Sequence, residues 1–143
     1  MKTRSVLAAL IVCLTISAIS QVPQNVQSAF GGMYPDAVLR KFKHRHHEYI
    51  AAFMNEGRKC TTVFDERGDW LMTKISMKRE DMPIVVKKGL EKSKYHGWFI
   101  EDITLVETPG SKIYTVGVDN NVTFTGLGGY HITYFTSSGK LLK

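Results

Sequence analysis

Three histidines fall within four positions, His44, His46 and His47. Neutral imidazoles are good ligands for zinc, copper or nickel, and on an extended strand His44 and His46 would point the same way. The same run holds Lys41, Lys43 and Arg45, whose charges repel a metal ion, and no cysteine or second carboxylate lies close in sequence. The cluster therefore reads as a solvated connector between a helix and a strand, and no metal site is expected. Metal binding by His44, His46 and His47 is the alternative function. His96 and His131 are isolated, and His131 sits in an alternating strand as a face residue.

An enzyme needs a nucleophile or an acid/base pair together with a group that orients it. Asp36 and Asp65 lie in turn signals, where turn geometry already accounts for them, and Glu101-Asp102 opens a strand. The chain has no Gly-x-Ser-x-Gly, His-Glu-x-x-His or P-loop, and Gly126-x-Gly128-Gly129 lacks the following helix that phosphate binding requires. No catalytic residue and no cofactor are expected. Cys60, flanked by Lys59, Thr61 and Thr62, reads as a small half-buried strand residue rather than a reactive thiol. Tyr95, Trp98 and Phe99 are expected to anchor a helix on the sheet. Asn121-Val122-Thr123 fits a glycosylation pattern that would matter only in a eukaryotic host.

The chain has 143 residues, a formal net charge of +6 and 43% hydrophobic residues, which suits one globular domain. Its N-terminus joins Lys2 and Arg4 to an apolar run over residues 6–16 and a small-x-small ending at Ala18 and Ser20. These are the three parts of a secretory signal peptide, and the run is too short to span a bilayer. Cleavage is expected after Ser20, leaving residues 21–143 as the mature domain in the periplasm or outside the cell. The net charge then falls from +6 to +4 as Lys2 and Arg4 leave, too weak a balance to indicate nucleic acid. Lipidation at Cys13 is the rival reading; Val12 argues against it, because Gly, Ala or Ser normally precedes a lipidated cysteine.

Elements that would position any site follow from periodicity. Val26, Phe30 and Met33 have helical spacing over residues 23–37, a helix weakened by Gly31 and Gly32 and ended by Pro35. From His47 the period changes to two, giving strands at residues 47–54, 60–64 and 70–75, separated by Asn55-Glu56-Gly57 and by Asp65-Glu66-Arg67-Gly68. Asp81 is expected to cap a helix over residues 82–95. Strands follow at residues 100–107, 112–118 and 130–135, with a long Asn- and Gly-rich insertion at residues 119–129 and a short last strand at residues 140–142. The order looks like one unit used twice, over residues 23–77 and 81–143. Pro23 and Pro83 are 60 positions apart, Tyr49 and Tyr114 65, Phe64 and Phe135 71. The expected fold is α+β: an antiparallel sheet of six to seven strands with two helices packed on one face.

Pro23 with Val26 and Phe30, Tyr34-Pro35-Asp36-Ala37, Tyr49-x-x-x-Phe53, Val63-Phe64-Asp65-x-x-Gly68-x-Trp70, Met82-Pro83 before Val86 and Leu90, and Gly139-Lys140-Leu141-Leu142 together resemble the PepSY-like family, proteins assigned to the bacterial periplasm. The resemblance covers nearly all of residues 23–143. It implies a fold similar to β-lactamase inhibitor protein and a Gram-negative periplasm, and no established activity. Thr136 departs from the Phe-Asp that the family often repeats before its second Gly turn.

If both helices cover one face, alternation puts Ile50, Ala52, Val63, Leu71, Ile132 and Tyr134 on the other, with Tyr130 at its border. A solvated sheet face would carry more Lys, Glu and Thr, so this one marks an interaction surface. The expected function is an exported, non-catalytic module that recognises or inhibits a protein or peptide through Ile50, Val63, Leu71, Tyr130, Ile132 and Tyr134. Nucleic-acid binding and stable membrane insertion are not expected; a homo-oligomer through the same face is the alternative partner. Mass spectrometry of the protein from its own host should find a mature N-terminus at Gln21 without a lipid. An acylated N-terminus at Cys13 would place it on a membrane instead.

Overall fold

The computed structural model describes residues 22–120 and 129–142. Residues 1–21, with the expected signal peptide and Cys13, lie outside the described residues, as do residues 121–128 of the insertion. Helix α1 spans Gln24–Met33 and α2 spans Ile84–Glu91. Pro23 and Pro83 stand just before them with nearly the same backbone, φ −57° and −56°. Proline suits this place because its missing N–H would have no helical partner there. The carbonyls of Pro23 and Pro83 accept the N–H groups of Gln27 and Lys87 at 3.1 and 3.0 Å.

Seven strands follow chain order in one antiparallel sheet: β1 Val38–Arg45, β2 Glu48–Asn55, β3 Arg58–Asp65, β4 Trp70–Met77, β5 Phe99–Thr108, β6 Ser111–Asp119 and β7 Tyr130–Thr136. Strand β1 corrects the expected connector. Seven of its eight residues are exposed, so the buried alternation that reveals a strand is missing from this edge. The segment expected as a last strand contributes one bridge, Phe135 with Leu141. Helix α2 is also shorter than residues 82–95. Ser93 Oγ donates to the Leu90 carbonyl at 2.7 Å and accepts the Tyr95 N–H at 3.1 Å, which ends the helix. Asp81 does not cap it; its N–H donates to the Lys78 carbonyl at 3.1 Å in a 3₁₀ turn at Arg79–Asp81, and its carboxylate pairs with Arg58 at 3.3 Å. No helix among the described residues is long and apolar enough to cross a membrane.

Both helices cover the same face. Val26 and Phe30 of α1 pack on Tyr49, Ala51, Phe53 and Phe64, while Val86 and Leu90 of α2 pack on Ile103, Val116, Val118 and Phe135. Phe64 and Phe135 are fully buried, one in each cluster. Trp70 and Tyr114 are half-buried at the margins of the same clusters. A chain of hydroxyls joins the first helix to the sheet. Tyr34 Oη lies 2.6 Å from Thr73 Oγ1, Trp70 Nε1 donates to the same atom, Thr73 donates to Thr62 Oγ1, and Thr62 donates to the Met72 carbonyl. Every polar atom in that buried chain has a partner, so the burial is not penalised.

The halves correspond down to their irregularities. Register breaks between Leu39 and Lys41 in β1 and between Ile100 and Asp102 in β5, 61 positions later. In the first half Asp65 Oδ1 accepts the N–H of Arg67 and of Asp69, both at 2.9 Å, and Gly68 turns at φ +87°. In the second, Thr136 Oγ1 accepts the Lys140 N–H at 3.1 Å and Gly139 turns at φ +81°. A hydroxyl thus does the work of the expected Asp. A Cβ on Gly68 would meet the Asn25 carbonyl at 3.1 Å, and one on Gly139 would collide with the Val85 carbonyl. Gly97 has a similar φ of +79° and open space around it. Gly139→Ala should therefore cost about 2–4 kcal/mol and Gly97→Ala only about 1–2 kcal/mol in denaturant titrations, since only the first adds a clash to the left-handed strain. Equal costs would remove the helix-to-turn contact from the account.

Candidate functional site

Strand register fixes which side chains share the uncovered face. Ile50 stands opposite Val63 and Val63 opposite Met72; Lys74 faces Val106, which faces Ile113; Thr104 faces Thr115, which faces Tyr134. Ile132 stands opposite Gly117. Side chains alternate between faces along a strand, so these residues all project away from the two helices.

The β4 to β7 part of this face holds a depression of about 360 Å³ lined by Met72, Lys74, Thr104, Val106, Ile132 and Tyr134. Ile132 is 49% exposed and Tyr134 43%. Beside them, Tyr130 donates its hydroxyl to Asp102 Oδ1 at 2.8 Å, and its ring lies over Gly117, where a Cβ would collide with it. That hydrogen bond, with some burial, raises the Tyr130 pKa above the usual phenol range, because a carboxylate acceptor favours the neutral phenol. At the β1 to β3 part a second depression, about 430 Å³, is lined by Arg40, Ala52, Met54, Lys59 and Thr61 among others.

Of the residues expected to bind, Tyr130, Ile132 and Tyr134 form one exposed row on β7, and Ile50 and Val63 pair on β2 and β3. Val63 keeps only 9% of its surface, so it supports the face rather than offering contact. Leu71 is a correction. A bulge lets Phe64 pair with Trp70 and Val63 with Met72, which leaves Leu71 unpaired between them and gives its place to Met72. Met72, Lys74, Val106 and Thr115 were not anticipated. Alternation carried along the expected strand at residues 100–107 would have found Val106; the bulge that moves Met72 has no sequence signal.

The histidines do not assemble. Strand β1 ends at Arg45, and His46 takes a left-handed φ of +56° in the hairpin turn, so the shared side expected of His44 and His46 is lost. His44 stacks on Tyr49 with ring centroids 4.5 Å apart, and His47 Nδ1 lies 3.1 Å from Glu66 Oε1. Among the described residues, no three side chains of His, Cys, Asp or Glu converge as a metal site would need. Cys60 is buried in the α1 cluster, with Sγ 3.7 Å from the Arg58 carbonyl, and desolvation pushes its thiol pKa up. Tyr95 anchors the region after α2: it is buried, edge-on to Trp98 at 5.1 Å. Phe99 does not share that role; it is exposed, with the Arg79 guanidinium 4.9 Å from its ring centroid.

A family model described as "Putative beta-lactamase-inhibitor-like, PepSY-like" matches residues 47–143. The fold is similar to that of a BLIP-like protein from Bacteroides fragilis, with TM-score 0.75 and 27% identity over 85% of this chain and 83% of that one. A DUF2874 family protein from Bacteroides ovatus gives TM-score 0.75 and 27% identity, covering 85% and 84%. A Bacteroides eggerthii structure described as a "putative periplasmic" protein shares the fold at TM-score 0.73 and 22% identity, covering 85% and 86%. No curated protein matches the chain significantly.

Burial and the raised pKa make Cys60 a slow thiol. Alkylation of the folded protein should run at least about tenfold slower than that of a model thiol at the same pH, and reach the model rate once denaturant exposes the side chain. Labelling at the model rate in the folded state would contradict its place in the core.

Proposed function

Because the chain belongs to the PepSY-like family, we propose that it is an exported, non-catalytic module that binds a protein or peptide on the sheet face opposite its helices. The exposed pair Ile132 and Tyr134 beside the 360 Å³ depression carries this reading. Contiguous apolar surface bordered by polar groups is how recognition sites differ from ordinary solvated sheet. The description beta-lactamase-inhibitor-like supports binding over catalysis as the class of function, while a shared fold transfers no particular target. Export rests on residues 1–20, read as a signal peptide cleaved after Ser20, with residues 21–143 as the single binding domain.

A double variant Ile132→Lys, Tyr134→Lys tests the reading. Both side chains are exposed, so unfolding stability should stay within about 0.5 kcal/mol of the wild type. A protein recovered from the periplasm by the wild type should be lost, its affinity falling by about thirtyfold or more, as for a central contact. Unchanged recovery would move the site elsewhere. A wild-type dimer that the double variant converts to monomer would assign the face to self-association.

A further inference from the structure

The uncovered face is asymmetric in charge. Its β5 to β7 part presents Val106, Ile113, Ile132 and Tyr134 with the Thr104 and Thr115 hydroxyls. Its β1 to β4 part presents Lys41, Lys43, Lys59 and Lys74, all exposed. Register places Lys41, Ala52, Thr61 and Lys74 in one row across four strands, and that row continues into Val106 and Ile113. At a strand spacing of about 4.8 Å, the two ends of this lysine row are about 14 Å apart, with Lys43 two residues along β1.

Two cations elsewhere have carboxylate partners: Arg58 pairs with Asp81 at 3.3 Å, and Lys112 with Glu107 at 2.7 Å. Among the described residues, none of the four face lysines has a carboxylate within ion-pair distance. The acidic groups on this face do not balance them. Asp65 is engaged by backbone N–H groups in its turn, Asp102 holds Tyr130, Glu48 lies at the hairpin end opposite Arg45, and Asp119 stands opposite Tyr130 at the far end of β6. Lys41 and Lys43 stand about 7 Å apart along β1, within a Debye length, so they repel one another, and an anionic partner would relieve that repulsion.

We propose that the partner is an acidic protein segment carrying an aromatic or aliphatic side chain, an inference that rests on the uncovered face being the binding surface. The apolar side chain sits in the depression between Met72, Val106, Ile132 and Tyr134. Its flanking Asp or Glu residues lie over Lys74 and on toward Lys59, Lys41 and Lys43. Lys74 belongs to both halves, lining the depression and ending the lysine row, so it fixes the order of the two features in the segment. A nucleic-acid backbone would satisfy the lysines and offer nothing aliphatic to the depression. A flat anionic membrane would reach the lysines without filling a recess in the sheet.

A randomised linear peptide display library panned on the mature chain provides the test. Peptides competing for this face should be enriched in Asp or Glu next to Leu, Phe or Tyr. A synthetic copy of a selected peptide should lose about tenfold or more in affinity for Lys41→Glu, Lys59→Glu, Lys74→Glu, with a smaller loss for the corresponding Gln variant and weakening as salt rises. It should also lose affinity for Ile132→Lys, Tyr134→Lys. Thermal melts check that each variant is folded, and the milder Gln variant serves if charge reversal unfolds the chain. Selected peptides that are not acidic, ignore the lysine substitutions and still need Ile132 and Tyr134 would overturn the acidic partner while leaving the face as the binding surface. Peptides indifferent to both sets, or no peptide competing for the face, would overturn both. Displacement of the peptide by phosphatidylglycerol vesicles or by duplex DNA at lower charge concentration would replace it with a lipid or nucleic-acid ligand.

Discussion

In each half of the molecule the start of the helix rests on the backbone of a left-handed glycine, Asn25 on Gly68 and Val85 on Gly139, at distances that would crowd a Cβ at the first and exclude one at the second. In the first half the contact is completed by a hydrogen bond from Asn25 Nδ2 to the Glu66 carbonyl at 3.1 Å. Gly68 closes the turn after β3 and Gly139 the turn after β7, so each contact ties its helix to the end of the strand that carries Phe64 or Phe135. Both helices lie on one side of the sheet. The exposed apolar row on β7 and the lysines of β1 to β4 follow from that choice, because a sheet covered twice on one face is left bare on the other.

The halves keep the same frame with different side chains. Val26 and Phe30 become Val86 and Leu90, and the Phe53 and Phe64 positions become Val118 and Phe135. The first half gathers Phe30, Phe42, Phe53 and Tyr34 into one aromatic cluster, with centroids 4.6 to 5.6 Å apart. In the second, Tyr95, Trp98 and His131 meet at the margin of the cluster instead. The second cluster fills the same places with smaller side chains, Leu90 for Phe30 and Val118 for Phe53. The uncovered face has no such constraint, and its two halves differ most there: lysines on one, Ile132 and Tyr134 on the other.

What could be read from the chain follows from where burial imposes a period. Strand β2 buries every second residue, and β3 and β6 add one buried outward position each, Val63 and Gly117, to their inward rows, so Tyr49, Phe53, Phe64 and Val116 announce both the strand and its inward face. The Asp65 and Gly68 turn was legible because its residues have local reasons to be there. Strand β1 was not, since an exposed edge has no inward row to display. Helix α2 was overextended because Tyr95 is buried like a helical residue, although Ser93 has already ended the helix. For the candidate site, Ile132 and Tyr134 were found by alternation, and Leu71 was misplaced because one unpaired residue in β4 shifts the count.

Recognition through the face opposite the helices requires that this face stand open in the isolated chain. Hydroxyl-radical footprinting of residues 21–143, read residue by residue over a wide range of protein concentration, tests it directly. Met72, Tyr130, Ile132 and Tyr134 should be oxidised quickly and at rates independent of concentration, while Tyr49, Phe53, Phe64 and Tyr95 stay protected. Protection of Ile132 and Tyr134 to the level of Tyr49 at every concentration would contradict the account, because those side chains would then be core and not surface.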